Sequence, residues 1–278
     1  MTQKIKLVMS DIDGTILTSQ HKIDDKLAVR LKQLKAKKIP FVLASARSPK
    51  GMHAIAKKLE VTEYPMACYN GALIVREVED DPFQQIFSQE LNVEETLQLI
   101  ELLTKEFKNI SISLYSGSDW YVESVDDWIE QEAAITKLEP IVANLNQLLL
   151  EQRLPVHKLL LIGSTPEVEQ LKEVCESLNL ETSSFYLSKE NYLEVTHYQV
   201  SKEKALTTVA DYYQIPLENT MAIGDNFNDL PMIKLSGMGV AMGNAPEEVI
   251  KEADIQTLTN DENGVSEALL NQILLKEI

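Results

Sequence analysis

Asp11-Ile12-Asp13-Gly14-Thr15 sets two carboxylates two residues apart, directly after the apolar run Lys6–Ser10. At the carboxyl end of a strand, such a pair faces the crevice where open α/β sheets bind ligands. One carboxylate can serve as a nucleophile while the other donates and accepts protons. Gly14 permits a tight turn with backbone N–H groups facing an anion. A plain Asx turn closing a strand fits the same five residues equally well. Ala44-Ser45-Ala46-Arg47 brings a hydroxyl and adjacent N–H groups able to hold a phosphate oxygen. Taken alone, it reads better as a helix-start turn with an exposed arginine. Gly224-Asp225-Asn226-Phe227-Asn228-Asp229 gathers acids and amides after another apolar run. Those donors suit Mg²⁺, a hard cation that prefers oxygen and keeps some waters; an EF-hand needs a longer series ending in glutamate. Lys202 opens a helix, where a cation opposes the dipole. A carboxylate or phosphate partner would resolve that conflict.

Alternating strands and helices must position these groups. The opening reads strand (Lys6–Ser10), helix (Asp24–Lys37), strand (Ile39–Ala44), helix from Ser48-Pro49, and strand (Pro65–Tyr69). The end repeats it: helix Ser201–Tyr213, strand Thr220–Gly224, helix Leu230–Leu235, strand Gly239–Met242, helix Pro246–Lys251, an extended run Asp254–Leu258, and a last helix Asn263–Lys276. This order predicts a doubly wound, parallel, Rossmann-like α/β core with right-handed crossovers. The middle differs. Ile110–Tyr115 with Trp120–Glu123, and Ser184–Leu187 with Tyr192–Val195, read as hairpins among helices. An α+β domain inserted into the core is therefore expected, with core 1–82, insert 83–189 and core 190–278.

Composition narrows the partners. Asp and Glu number 43 against 26 Lys and Arg, a net charge of −17 over 278 residues. That charge repels nucleic acid and anionic membranes, and no basic patch overrides it. Cys68 and Cys175 cannot build a disulfide framework, and no Cys/His spacing suggests zinc. Ser10, Asp11 and Asp13 interrupt the first apolar run, so no signal-peptide core is expected. A cytoplasmic protein acting on a small molecule is the expectation; the oligomeric state is not legible. His21, His53, His157 and His197 are dispersed and read as surface or packing residues.

Together, DIDGT at 11–15, SAR at 45–47, NGA at 70–72, SKEKAL at 201–206 and GDNFNDLPM at 224–232 resemble the haloacid dehalogenase superfamily, in its Cof-type branch with a type IIB cap. The resemblance implies a Mg²⁺-dependent phosphatase of small phosphate esters working through an aspartyl-phosphate. It implies that Asp11 is the nucleophile and Asp13 the proton donor and acceptor. Metal contacts would come from Asp11, the Asp13 main-chain carbonyl, Asp225 and Asp229. Ser45, Ala46, Asn70, Lys202 and Asn228 would contact the phosphoryl group or substrate, and Lys202 would lower the pKa of Asp11. Sugar phosphates lead among substrates, ahead of flavin mononucleotide and pyridoxal phosphate. A phosphomannomutase-like mutase and a non-catalytic metabolite binder are the alternatives. The family commonly has Thr-Gly where this chain has Ser45-Ala46, and Gly where it has Glu203. The extra Cβ of Ala46 restricts the phosphate loop.

Overall fold

A computed structural model describes residues 4–275. They form two compact units: one comprises the residues up to Arg47, Met52–Phe87 and Ser201 onward, the other Ser48–Gly51 and Ser88–Val200. The chain begins β1 (Leu7–Asp11), α1 (Asp25–Ala36), β2 (Phe41–Ala44), α2 (Pro49–Leu59), β3 (Met66–Cys68), β4 (Leu73–Val78) and β5 (Asp81–Ser88). It continues α3 (Val93–Glu106), β6 (Ser111–Ser116), β7 (Asp119–Val122), α4 (Asp127–Thr136), β8 (Ile141–Val142) and α5 (Leu145–Glu151). Next come β9 (Lys158–Ile162), α6 (Thr165–Ser177), β10 (Ser183–Lys189) and β11 (Tyr192–His197). It closes α7 (Lys202–Tyr213), β12 (Thr220–Gly224), α8 (Leu230–Leu235), β13 (Met238–Ala241), α9 (Glu247–Glu252), β14 (Ile255–Gln256) and α10 (Gly264–Leu269).

The first unit holds an eight-stranded sheet in the order β14-β13-β12-β1-β2-β3-β4-β5. The pairs from β14 to β3 are parallel, and β4 returns antiparallel to β3. β1 and β12 are buried throughout, as strands covered on both faces must be. Leu7, Met9, Val42 and Ala222 pack with Ala205, Leu206 and Val209 of α7. After β1 the chain winds to β2 and β3 on one side; β12, β13 and β14 fill the other. The β1–β12 boundary is thus the topological switch point, where α/β sheets open a crevice at strand carboxyl ends. Register sets Asp11 opposite Ala44 and Ser10 opposite Ile223, so three strand ends meet there.

The second unit holds a six-stranded sheet, β10-β11-β9-β6-β7-β8, antiparallel except for the β7–β8 pair. Its apolar face (Leu114, Leu159, Leu161, Leu193 and Val195) packs with Leu99 and Leu103 of α3, Leu145 and Leu149 of α5, and Val168 and Leu171 of α6. The other face carries Tyr115, Lys158 and Glu194. This is a separate α+β module with its own core.

Three features differ from the sequence expectation. The sequence reading placed no strands over 73–78 and 81–88, where β4 and β5 form a hairpin that extends the first sheet. The units divide at 87/88 and 200/201, not 82/83 and 189/190, because β11 is the strand between β10 and β9. The last helix stops at Leu269 and passes into a π-helical turn, Leu270–Leu274; Lys276 lies outside the described residues. Among the described residues, no helix is long and apolar enough to cross a membrane. Both cysteines are free and buried.

Candidate active site

Three chain segments deliver charge to the carboxyl edge of the first sheet. β1 ends on Asp11, and the loop after β12 carries Asp225 and Asp229. The first turn of α7 carries Lys202, with Ser201 capping the helix by accepting from the Lys204 N–H. The Lys202 ammonium donates to both Asp11 Oδ1 and Asp229 Oδ1. This resolves the dipole conflict seen in the sequence: two carboxylates meet the cation at the helix N-terminus. Asp229 Oδ2 accepts from the backbone N–H groups of Asp225 (2.9 Å) and Asn226 (3.0 Å), so that carboxylate also shapes its own loop. Thr15 donates to Asp225 Oδ1 at 2.7 Å. Gly14 has φ +82°, and a Cβ there would run into the Asp225 carboxylate. Glycine is required there twice, by conformation and by space. A Cβ on Gly224 would likewise collide with Asp229.

One oxygen from each of Asp11, Asp225 and Asp229 lies within 4.8 Å of the others. Three hard oxygen donors against one ammonium fit a divalent cation. Electrostatics agree. Burial raises the Asp11 pKa well above the usual carboxylate range; Lys202 pulls it down, but burial together with the Asp229 and Asp225 charges outweighs that pull. The expected lowering by Lys202 is present as its own contribution, while burial and the neighbouring acids carry the net shift upward. Asp225 is pushed up to about 6, mostly by burial, with Asp229 adding and Thr15 opposing. Burial works against the Lys202 charge, but Asp11 and Asp229 override it and raise its pKa. The site carries excess negative charge that a divalent cation would offset.

Ser45 follows β2 and is buried; its N–H donates to Ala67 O at 3.0 Å. The Asn70 N–H donates to Ser45 O at 2.8 Å, and Asn228 Nδ2 reaches Asn70 Oδ1 at 3.5 Å. Ser45, Asn70 and Asn228 therefore belong to one tied set of loops, with Ala46 between Ser45 and Arg47. Tyr69 (φ +52°) and Asn70 (φ +56°) are consecutive left-handed residues, a strained turn held by its surroundings. Asp13 stands outside the three-carboxylate group. Its carboxylate is gripped by Arg47, with Nε donating to Oδ2 at 2.8 Å and Nη2 to Oδ1 at 2.6 Å. Sequence reasoning read Arg47 only as an exposed arginine and assigned no role to Asn244, whose Nδ2 donates to Gly14 O at 2.9 Å. Arg47's place in the SAR segment is the signal that pointed toward it; no comparable signal marks Asn244.

Comparison with known proteins fits this geometry. The family profile described as haloacid dehalogenase-like hydrolase matches residues 8–269. A Haemophilus influenzae protein named "Putative phosphatase" is 35% identical over 262 residues, covering 94% of this chain and 95% of the relative. A Bacillus subtilis relative, 5-amino-6-(5-phospho-D-ribitylamino)uracil phosphatase YcsE, is 27% identical over 273 residues, covering 97% of this chain and 96% of the relative. The crystal structure of a haloacid dehalogenase-like hydrolase from Bacteroides thetaiotaomicron matches with a TM-score of 0.85 at 32% identity, covering 96% of this chain and 98% of that one. The chain belongs to the haloacid dehalogenase-like hydrolases, in their Cof-type branch, and is a phosphoric monoester hydrolase.

Proposed function

We propose that this chain hydrolyses small phosphorylated metabolites, sugar phosphates first, through a phospho-aspartate on Asp11 with Mg²⁺ as cofactor. One observation carries the reading: Lys202, 191 residues from Asp11, donates to it inside a group of three carboxylates, Asp11 and Asp229 buried and Asp225 half-buried. A phosphate dianion repels an attacking carboxylate, so nearby positive charge and alignment are what catalysis requires. Mg²⁺, held by Asp11, the Asp13 carbonyl and Asp225, would offset that charge and orient the phosphoryl oxygens. Asp229, whose oxygens are engaged by Lys202 and two backbone N–H groups, acts through Lys202 and the loop.

An Asp11 carboxylate oxygen attacks phosphorus, and the ester P–O bond breaks with its electron pair on the leaving oxygen. Asp13 gives that oxygen a proton. Asp13 then takes a proton from water as the water oxygen attacks the phospho-aspartate; the P–Oδ bond breaks and inorganic phosphate leaves. Ser45, Asn70, Lys202 and Asn228 bind the transferring group, with backbone at Ala46 beside it. The sugar-phosphate preference has two supports: the family resemblance, and the phosphorylated ribityl compound in the name of the YcsE relative.

The test is Mg²⁺-dependent phosphate release from para-nitrophenyl phosphate and from a panel of sugar phosphates. Turnover is expected to fall to background in Asp11→Asn. Equal rates in the variant and the parent would overturn the reading, and isomerisation of a sugar 1-phosphate without phosphate release would replace it with a mutase.

A further inference from the structure

Arg47 and Asp13 meet across 34 residues of sequence through two parallel N–H···O bonds. A guanidinium fork fixes the plane of a carboxylate in a way that a lysine point charge cannot. The two side chains are 32% and 46% exposed, so the pair is open to water and contributes little to stability. Its geometry nonetheless decides where both Asp13 oxygens point. In the catalytic reading above, on which this inference rests, one Asp13 oxygen must serve the leaving group. Both oxygens already accept from Arg47, one bond each, which leaves a second lone-pair direction on either oxygen for the ester and fixes the plane in which it lies.

We propose that Arg47 is a positioning residue for Asp13: it sets the carboxylate plane in which one oxygen meets the leaving group. Arg47 then matters in proportion to how much help the leaving oxygen needs. A para-nitrophenolate leaves with little assistance, whereas an alkoxide needs Asp13. A residue that only braced the fold or bound the phosphoryl group would affect both esters alike.

The experiment uses the full chain with Mg²⁺ and measures kcat and KM separately for para-nitrophenyl phosphate and glucose 6-phosphate. The variants are Arg47→Gln, Arg47→Lys, Asp13→Asn and the Arg47→Gln/Asp13→Asn double, with thermal melts confirming folding. Arg47→Gln is expected to lower kcat on the alkyl ester by about 10–100-fold, a fraction of what general acid–base catalysis supplies. KM should stay within about threefold; in single-turnover measurement of the phosphorylation step the aryl ester should lose less than about threefold, while hydrolysis of the phospho-aspartate, common to both esters, should slow equally for the two. Arg47→Lys, with charge but no fork, should recover only part of the alkyl rate. The double variant should be no slower than Asp13→Asn alone, as for groups acting as a unit. Equal losses on both esters in the phosphorylation step, a rise in KM alone, full recovery by lysine, or additive losses would each overturn the proposal. Loss of aryl turnover in Asp11→Asn would still uphold the phosphatase reading in those cases, so the two failures are distinguishable.

Discussion

Each unit of this chain buries a lysine against a carboxylate, and the two pairs differ in their company. In the first unit Lys202 faces Asp11 and Asp229, and Asp225 joins them within 4.8 Å. In the second, Lys158 meets Glu194 at 3.3 Å and lies 5.0 Å from the Tyr115 ring centroid, while Tyr186 donates to Glu194 at 2.7 Å. Both lysines are almost wholly inaccessible. Burial does not separate them; the company of acids does. Lys158 is set beside Glu194, with a hydroxyl on the carboxylate and an aromatic face by the ammonium, the kind of completion a buried ion pair needs if it is not to cost stability. The first has three anions to one cation and a pKa pattern of acids pushed upward. Uncompensated charge of that kind persists where a ligand completes it.

The largest effect that sharpens this contrast is Asp13→Asn, which removes the proposed proton donor and leaves the three-carboxylate group in place. Turnover of an alkyl phosphate should fall by about 10²–10⁴-fold with the melting temperature little changed. Near-normal steady-state rates would take Asp13 out of the chemistry.

Next in size is a pair of substitutions, Lys202→Met and Lys158→Met. Each breaks a buried pair and should cost about 3–5 kcal/mol in urea unfolding without metal. Added Mg²⁺ stabilises any folded chain that keeps the site, so Lys158→Met should respond to it as the parent does, whereas Lys202→Met, whose three carboxylates have lost the ammonium of Lys202, should respond more strongly. An equal Mg²⁺ response in the two variants would erase the distinction between the units.

The smallest effect concerns pH in the second unit. His157 is buried; its Nδ1 accepts from the Gly117 N–H at 3.0 Å, and its Nε2 lies 3.0 Å from Ser88 Oγ. Burial lowers its pKa from 6.5 to about 4. The unfolded chain therefore takes up the proton first as pH falls. The stability linked to neutral His157 is full above pH 6.5 and drains away towards pH 4, on the order of 3 kcal/mol. Unfolding free energies across that window should fall less steeply in His157→Gln; an unchanged slope would assign the pH dependence to other groups.

The core and its charged residues were legible because strand ends and motif residues coincide in sequence. Asp11, Ser45 and Asp225 each directly follow or end an apolar run, and a parallel sheet brings such ends to one edge. Pairings between distant segments were not legible. β11 was visible as a strand, yet only its place between β10 and β9 assigns it to the second unit. The β5 strand escaped because it begins Asp81-Pro82 and lies half-exposed at the sheet edge, where proline is tolerated and apolar alternation is weak. The grip of Arg47 on Asp13 joins two loops with no shared sequence pattern. The net rise in the Asp11 pKa required knowing how completely the end of β1 is buried and that two further acids stand beside it.

The chain leaves the eight-stranded sheet from β5, its outermost strand, and comes back at α7. β1, which ends on Asp11, and β12, which leads into Asp225, sit well inside that sheet. The inserted segment can thus grow, shrink or be exchanged over evolutionary time without re-registering the strands that hold Asp11 and Asp225. An ancestral hydrolytic centre could keep its chemistry while trying out new neighbours, a freedom that comes from where the detour is spliced in.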